Sequence, residues 1–302
     1  VSLCVQASAT MHKKNKEVHD EMTDKTKGIL HIIAAAFFFS LMTFFVRLSG
    51  DVPSLQKAFF RNIVALIAAT IMLARTEEKF HIKKKSLPFL FVRAACGFIG
   101  LVCNFYAIDR LNIADANMLN KLSPFFAVIF SAIVLRERAK KRDWAAVCAA
   151  FIGALFVIKP SFHMSFVPAL IGAAGGLGAG IAYVFVRLLG KKGERGSVIV
   201  FFFSLFSTIM LAPVIIFHYT PMTLKQWIIL IFAGIAAMGG QLNITAAYTY
   251  APAKDISVFD YSQILFAALL GFLFLHQLPD VYSLIGYVII IGAAVFRWMH
   301  RD

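Results

Sequence analysis

Two apolar stretches of the chain each carry a short cluster of polar side chains of the kinds that bind small polar molecules. In the first stretch, residues 114–137, the cluster is Asn117, Asn120, Lys121 and Ser123. In the second, residues 254–277, it is Asp260, Tyr261, Ser262 and Gln263. Polar side chains are costly in hydrocarbon, so within apolar segments they usually face a protein interior or a water-filled cavity. We therefore expect the two stretches to line one central path.

Lys121 and Asp260 are the charged members of these clusters. Lys121 lies about 9 Å into its helix if the helix begins near Asp115, at 1.5 Å per residue. It could contact an anionic group of a bound molecule; the alternative is a salt bridge with Asp109 or Asp115. Asp260 could bind a cationic group or carry a proton, because burial favours the neutral form of a carboxyl group. The alternative for Asp260 is a buried ion pair with Arg93.

The two charged residues are predicted at mirrored depths, Lys121 nearer the outside and Asp260 nearer the inside. We therefore expect no direct pair between them. A cavity that is positive at one mouth and negative at the other would suit a zwitterion.

Further residues are assigned to the same cavity because their helices carry the charged candidates. They are Asn120, Ser123, Tyr261 and Gln263, with Arg61 as a further anion-binding group. For the uncharged members the alternative is hydrogen bonding between helices. Pro124 removes a backbone hydrogen bond within its span, which predicts a bend that serves as a gating hinge or as a static kink.

Other residues are given structural roles. Gly172, Gly176 and Gly180 stand four apart, a spacing that predicts close contact between helices. Asp115 and Asp255 are expected to cap their helices. Arg187, at the end of its span, is expected to anchor the helix at the membrane interface.

Composition places the chain among integral membrane proteins. Hydrophobic residues make up 60% and charged residues 15%, against roughly 25% charged in an average soluble domain. The net charge of +14 does not indicate nucleic-acid binding, because the basic residues lie in short connectors between apolar runs and form no contiguous basic surface.

About ten apolar runs of membrane length follow one another between residues 28 and 299. Residues 1–27 are polar and are predicted to form a largely disordered cytoplasmic tail. Most of the 30 Lys and Arg residues fall in the tail and in alternate connectors, which favours both termini on the cytoplasmic side of the cell membrane.

The chain contains an internal repeat. Besides the two polar stretches, the sequence Phe45-Val46-Arg47-Leu48 recurs as Phe185-Val186-Arg187-Leu188. This predicts two five-helix halves, residues 28–160 and 161–302. Because five is odd, the second half enters the membrane from the opposite side. Inverted repeats of this kind are an architecture of secondary transporters, with the site at the repeat interface near the midplane.

The repeat resembles the drug/metabolite transporter superfamily, and within it carriers with paired EamA-type domains. The resemblance rests on Phe59-Phe60-Arg61 in the second span, and on the endings Leu135 to Arg138 and Leu275 to Leu278. The usual Gly-Glu of these endings is only partly kept, since Arg136 replaces Gly in the first copy and His276-Gln277 replaces both in the second. The resemblance implies transport of a small metabolite by alternating access, with cargoes in the family ranging from amino acids and drugs to nucleotide-type metabolites and S-adenosylmethionine.

The prediction is therefore a secondary carrier and not an enzyme, with uptake of S-adenosylmethionine or a related metabolite as the alternative in the same class. A membrane-embedded enzyme would need converging titratable groups or a metal cluster; a non-transporting sensor or scaffold is the other rival. No phosphate-binding loop for ATP is present, the four cysteines show no zinc spacing, and no cofactor or metal is predicted. The expected partners are a small-molecule substrate, membrane lipid and, as a candidate coupling ion, the proton; the protein is expected to be a monomer or a homodimer.

Overall fold

The structure is a computed structural model. It describes the backbone of residues 2–111, 113–159, 165–275 and 278–300, and the side chains of residues 23–107, 110–111, 117–159, 165–274 and 278–300. The regular structure of these residues is helical. The helices are α1 (Ser2–Leu48), α2 (Ser54–Ala74), α3 (Leu87–Arg110), α4 (Ile113–Asn120), α5 (Ser123–Val134), α6 (Lys141–Ile158), α7 (Phe166–Lys191), α8 (Gly196–Phe217), α9 (Leu224–Tyr250), α10 (Ala253–Ile256), α11 (Ser262–Leu275) and α12 (Val281–Met299).

The predicted membrane fold is confirmed. Nine helices in the described part of the chain, counting each broken helix as one, are long and apolar enough to cross a membrane. The remaining helix, α6, begins with the charged residues Lys141, Arg142 and Asp143, which leave it a shorter apolar length than the others. It nevertheless packs along α12, where a Cβ atom added at Gly153 would lie 2.9 Å from the carbonyl oxygen of Gly286.

The first helix begins earlier than the sequence predicted. α1 starts at Ser2, and its apolar spanning part at Thr23. Residues 2–27 therefore belong to a helix and do not form a disordered tail. They contain no Pro or Gly, the two residues that most oppose a helix.

Contacts between helices follow the internal repeat. Helices α1 to α6 form one half and α7 to α12 the other, and each main contact joins one helix from each half. Exchanging the halves turns the contact of α1 with α9 into that of α7 with α3, and the contact of α5 with α7 into that of α11 with α1. The contacts of α2 with α8 and of α6 with α12 map onto themselves. The two halves are thus interlocked inverted repeats.

Glycines let α7 approach the broken helix α4–α5 closely. A Cβ atom added at Gly180 would lie 2.6 Å from Cβ of Phe126 in α5, and one added at Gly176 would lie 2.7 Å from the carbonyl oxygen of Leu119 in α4. The predicted packing role of this glycine series is confirmed.

The two polar stretches are broken helices. In the first, α4 ends at Asn120 and α5 begins at Ser123, with Lys121 and Leu122 in a turn. Pro124 lies in the first turn of α5, where its missing N–H costs no helical hydrogen bond. In the second, a 3₁₀ turn, Ser257–Tyr261, separates α10 from α11. The bend predicted at Pro124 takes the form of a break just before it, and the second repeat has a break at the equivalent place. The predicted cause, a hydrogen bond lost at Pro124, does not apply.

Candidate substrate-binding cavity

A cavity of about 230 Å³ lies between the two repeats, next to both breaks. Six of the predicted site residues line it. They are Arg61, Asn120, Lys121, Ser123, Asp260 and Gln263. The cavity therefore brings together, from three separate spans, most of the side chains that the sequence assigned to one path.

The cavity extends from the breaks towards the membrane face at which α1 ends and α4 begins. Its lining reaches Val46, near the end of α1, and Asn117, which is exposed. Under the orientation favoured by the basic connectors, this face is the outer one.

Lys121 and Asp260 form an ion pair across the repeats. The Lys121 ammonium donates to Oδ2 of Asp260 at 3.0 Å, to Oε1 of Gln263 at 2.7 Å and to the Asp260 carbonyl oxygen at 3.3 Å. Both residues are 8% exposed. The expectation that they do not pair directly is wrong, and Arg93, the alternative partner of Asp260, bonds to Gln241 instead. The side chains of Asp109 and Asp115, the alternative partners of Lys121, lie outside the described residues.

The breaks explain why the two charges meet. α4 contains 8 residues before its break, or about 12 Å of helix, and α10 with its 3₁₀ turn contains 9. The two segments start from opposite faces of a hydrocarbon core about 30 Å thick, so both breaks lie near the midplane, within reach of a lysine side chain. Because the two charges neutralise each other, the expected separation into a positive and a negative mouth is also absent.

Tyr261 supports this pair from behind the cavity wall. Its side chain is fully buried and its hydroxyl donates to the carbonyl oxygen of Lys121 at 2.9 Å. Lys121 and Tyr261 stand 140 positions apart and are equivalent in the repeat, and each donates to a backbone carbonyl at the other break. The phenol does not reach the cavity, so the prediction that Tyr261 contacts a bound molecule gives way to a positioning role.

Replacing Tyr261 by Phe should lower the free energy of unfolding by about 1–3 kcal/mol, because the Lys121 carbonyl is left buried without its partner. Unfolding of the purified protein in one detergent, followed by circular dichroism, measures the change. Tyr282→Phe is the matched control, since Tyr282 is exposed. Equal stability of the two variants would contradict the role of the Tyr261 hydroxyl.

Two buried arginines face the cavity without a carboxylate partner among the described residues. Arg61 is 9% exposed and its Nε has no hydrogen-bond partner. Arg93 is 2% exposed; its Nη2 donates to Oε1 of Gln241 at 3.2 Å, whereas its Nε and Nη1 have no partner. The Arg93 guanidinium carbon lies 4.0 Å from the centre of the Phe203 ring.

Arg93 is the main residue that sequence reasoning missed, since it was considered only as an ion-pair partner for Asp260. The signal was available: Arg93 lies within the apolar run of residues 87–108, and a charged residue in such a run is a functional candidate. Gln241 and Tyr183 also line the cavity and were not among the predicted site residues.

The opposite end of the molecule is closed by ion pairs. Glu137 lies 3.3 Å from Nε of Arg187 and also pairs with Lys191, and Arg187 donates to the Thr249 carbonyl oxygen at 2.6 Å. Arg187 is therefore part of a half-buried network that joins α7, α9 and the α5–α6 connector; its expected role as a simple interfacial anchor is wrong. Burial opposes ionisation of Glu137, but hydrogen bonds from Lys191 and Ser131 and the charge of Arg187 outweigh it and lower its pKa. The network is thus intact at neutral pH and loosens only as the pH falls below the usual pKa of 4.5 towards the lowered one.

A second buried network lies at this end. Arg297 of α12 bridges Asp143 of α6 and Asp255 of α10, with 3.3 Å between Nη2 of Arg297 and Oδ1 of Asp143. Asp255 is therefore an ion-pair member, and the prediction that it caps its helix is wrong. None of the three residues lines the cavity, and the pairs hold α6, α10 and α12 together.

The described residues contain no candidate metal site, since no three or more of their His, Cys, Asp or Glu side chains are grouped so that they could hold an ion. His31 shares a hydrogen bond with Oδ1 of Asn243 at 2.8 Å, a structural contact between α1 and α9.

Comparisons with known proteins agree with this architecture. The model of the EamA-like transporter family matches residues 26–159 and 167–298. The pseudopaline exporter CntI of Pseudomonas aeruginosa strain UCBPP-PA14 is 32% identical, over 89% of this chain and 94% of the exporter. Human solute carrier family 35 member G1 is 24% identical, over 90% of this chain and 80% of its own length. A solved crystal structure superposes with a TM-score of 0.80 at 18% identity, covering 90% of this chain and 97% of the other, which supports the fold.

The family match falls on both halves and leaves out little besides the start of the chain and the connector between the repeats. The relatives named as an exporter and a solute carrier are membrane transporters of small molecules, and their matches span most of both chains. The chain belongs to the EamA-like transporter family.

Proposed function

We propose that the protein is a secondary transporter that moves a small organic metabolite through the central cavity by alternating access. The observation that carries this proposal is the meeting of two broken helices, one from each inverted repeat, at a charged cavity near the midplane. Irregular backbone at membrane depth is tolerated where it lines a binding cavity, and transporters place their sites there.

The Lys121–Asp260 pair is the proposed link between substrate binding and movement of the repeats. It joins the break of one repeat to that of the other, so the repeats cannot separate there while it is intact. An acidic group of the substrate would compete for the Lys121 ammonium, and a proton on Asp260 would remove the attraction. Either event loosens the link, with the break before Pro124 as the proposed hinge.

The cavity is open towards one membrane face and closed towards the other, as expected for one state of an alternating-access cycle. The cavity reaches the face of Asn117, while the Glu137 network closes the opposite face. With both termini in the cytoplasm, this is an outward-facing state, and the inward-facing state requires the contacts of Glu137 with Arg187 and Lys191 to open.

Export from the cytoplasm is the proposed direction, because the relative that is 32% identical is named as an exporter. Uptake of S-adenosylmethionine has less support, since that metabolite carries a sulfonium cation. The described residues that line the cavity include three cations, Arg61, Arg93 and Lys121, and one carboxylate, Asp260.

Flux through the purified protein tests the proposal. Proteoliposomes are loaded with a mixture of amino acids, nucleosides, and mono-, di- and tricarboxylates, and release is followed by mass spectrometry at two pH values. We expect at least one compound class to leave faster than from protein-free liposomes, and a rate that changes with a pH gradient if Asp260 carries the coupling proton. Release at the protein-free rate for every compound would favour a sensor or scaffold.

A further inference from the structure

We propose that Arg61 and Arg93 form an anion-binding pair that selects an organic substrate with two negative charges, supplied by two carboxylates or by one phosphate monoester. This inference rests on the proposed transport function and names the substrate class for the same cavity.

Arg93 is held in a fixed orientation with part of its guanidinium free. Gln241 accepts from Nη2 and the Phe203 ring covers the group, while Nε and Nη1 remain without partners. Gly97 makes room for this arrangement, because a Cβ atom there would lie 3.0 Å from Nη1 of Arg93. A guanidinium fixed in this way offers its Nε–H and Nη1–H groups as charge-assisted donors to the oxygens of a carboxylate or phosphate.

Arg61 enters the same cavity from α2. It is nine-tenths buried, its Nε has no hydrogen-bond partner, and it forms no ion pair with any residue that the structure describes. A buried charge without a counter-ion is strongly unfavourable. Two such charges facing one cavity are most simply compensated by a ligand that brings two negative charges.

The remaining charges of the cavity do not supply this compensation. Asp260, the carboxylate among the described lining residues, is already paired with Lys121 at 3.0 Å. The pair is neutral, so an excess of two positive charges remains on Arg61 and Arg93.

The repeat shows that the fold does not require these arginines. In the register that aligns Thr70 with Thr208, the position equivalent to Arg61 is Ile199. In the 140-residue register that aligns Leu90 with Leu230 and Gly100 with Gly240, the position equivalent to Arg93 is Ala233, which is also buried. The second half thus builds the corresponding helices with apolar residues at both positions. Only the first half contributes the two guanidinium groups, which favours a ligand-binding role over a packing role.

The rest of the lining suits an organic body between the acidic groups. Phe39, Leu101, Phe105 and Phe203 face the cavity beside the arginines. Binding pockets for small molecules combine such apolar walls with a few placed polar groups. An inorganic anion would leave these walls without a contact.

Ligand-dependent thermal unfolding of the detergent-purified protein tests the proposal without depending on flux. The probes, at matched ionic strength, are succinate and glutarate as dicarboxylates, glycerol 3-phosphate as a phosphate monoester, butyrate as a monoanion and choline as a cation. We expect the wild-type Tm to rise with at least one organic dianion and not with butyrate or choline. A Tm rise with succinate or glutarate would identify carboxylates as the recognised groups, and a rise with glycerol 3-phosphate would identify the phosphate.

Variants connect the response to the two arginines. Arg61→Gln and Arg93→Gln should each weaken dianion affinity by about tenfold or more, as for loss of one charge-assisted contact. The double variant should show no response and a higher Tm than wild type in the absence of ligand, since two uncompensated charges are gone. Arg47→Gln is the control, because Arg47 is exposed at the end of α1.

Three outcomes would overturn the proposal. They are equal Tm shifts with butyrate and with the dianions, a response retained in the double variant, and no wild-type response to any dianion. If transport were detected in the flux experiment and any of these held, the substrate class would be wrong and the transport function would stand. If a dianion raised the Tm but no compound were transported, the binding site would stand and the transport function would be wrong.

Discussion

Replacing Asp260 by Asn is expected to abolish transport and to lower the free energy of unfolding by about 3–5 kcal/mol, because Lys121 is left buried without its counter-charge. The side chains of the pair are 10% and 12% exposed, so solvent cannot replace the lost partner. Flux from proteoliposomes and unfolding in detergent measure the two effects separately. The loss of stability is expected from the geometry of the pair alone; the loss of flux depends on the proposed mechanism.

A double variant separates these contributions. Lys121→Gln combined with Asp260→Asn removes both charges and should recover most of the stability, since replacing a whole buried pair is often close to neutral. It should remain inactive, because neither substrate nor proton can then act on the link between the repeats. Wild-type flux in the double variant would show that the pair has only a structural role and takes no part in transport. Lys159→Met, which breaks the exposed pair with Asp280, is the control and should transport normally.

Replacing Gly178 by Val is expected to destabilise the protein by about 3 kcal/mol or more, at or beyond the upper end of the usual cost of overpacking. A Cβ atom there would lie 2.7 Å from the carbonyl oxygen of Cys96 and 2.9 Å from both N and Cα of Gly100. These are backbone atoms, which cannot move aside as a flexible side chain would. The variant should force α3 away from α7 and displace Arg93, so the yield of monodisperse protein and dianion binding should both fall.

The matched control for this change is Gly292→Val in α12. A Cβ atom at Gly292 would meet no atom within 4 Å, so the substitution should leave the free energy of unfolding unchanged or slightly higher, because Val is the better helix former. Size-exclusion chromatography and unfolding in the same detergent compare the two variants. Similar behaviour of both would show that α3 and α7 do not depend on backbone contact at Gly178.

The excess positive charge makes the cavity asymmetric, although the helix packing around it follows the internal repeat. The helix contacts follow the exchange of the two halves, but both unpaired guanidinium groups come from the first half. A bound anion held by Arg61 and Arg93 would therefore contact α2 and α3 of the first repeat, in the same cavity as the Lys121–Asp260 pair that links the two repeats. In this way one ligand can influence both repeats although only one of them supplies the arginines.

The amino-acid sequence by itself determined the membrane class, the two halves and six of the polar residues that line the cavity. Each of these follows from local properties: a run of apolar residues predicts a span wherever it occurs, and a polar cluster within a run predicts an interior-facing surface. Lys121, Asp260, Asn120, Gln263, Ser123 and Arg61 were found by this reasoning, and all six line the cavity.

Only the tertiary structure decided how these residues are paired. Lys121 meets Asp260 because both spans are broken near the midplane, whereas the depths inferred from unbroken helices kept them apart. Tyr261 turns to a backbone carbonyl at the other break, and Arg93 acquires its place in the cavity from Gln241 and Phe203 on other helices. The physical reason is that insertion of a span depends on its own composition, while contacts between residues more than a hundred positions apart depend on where helices break and how closely they pack.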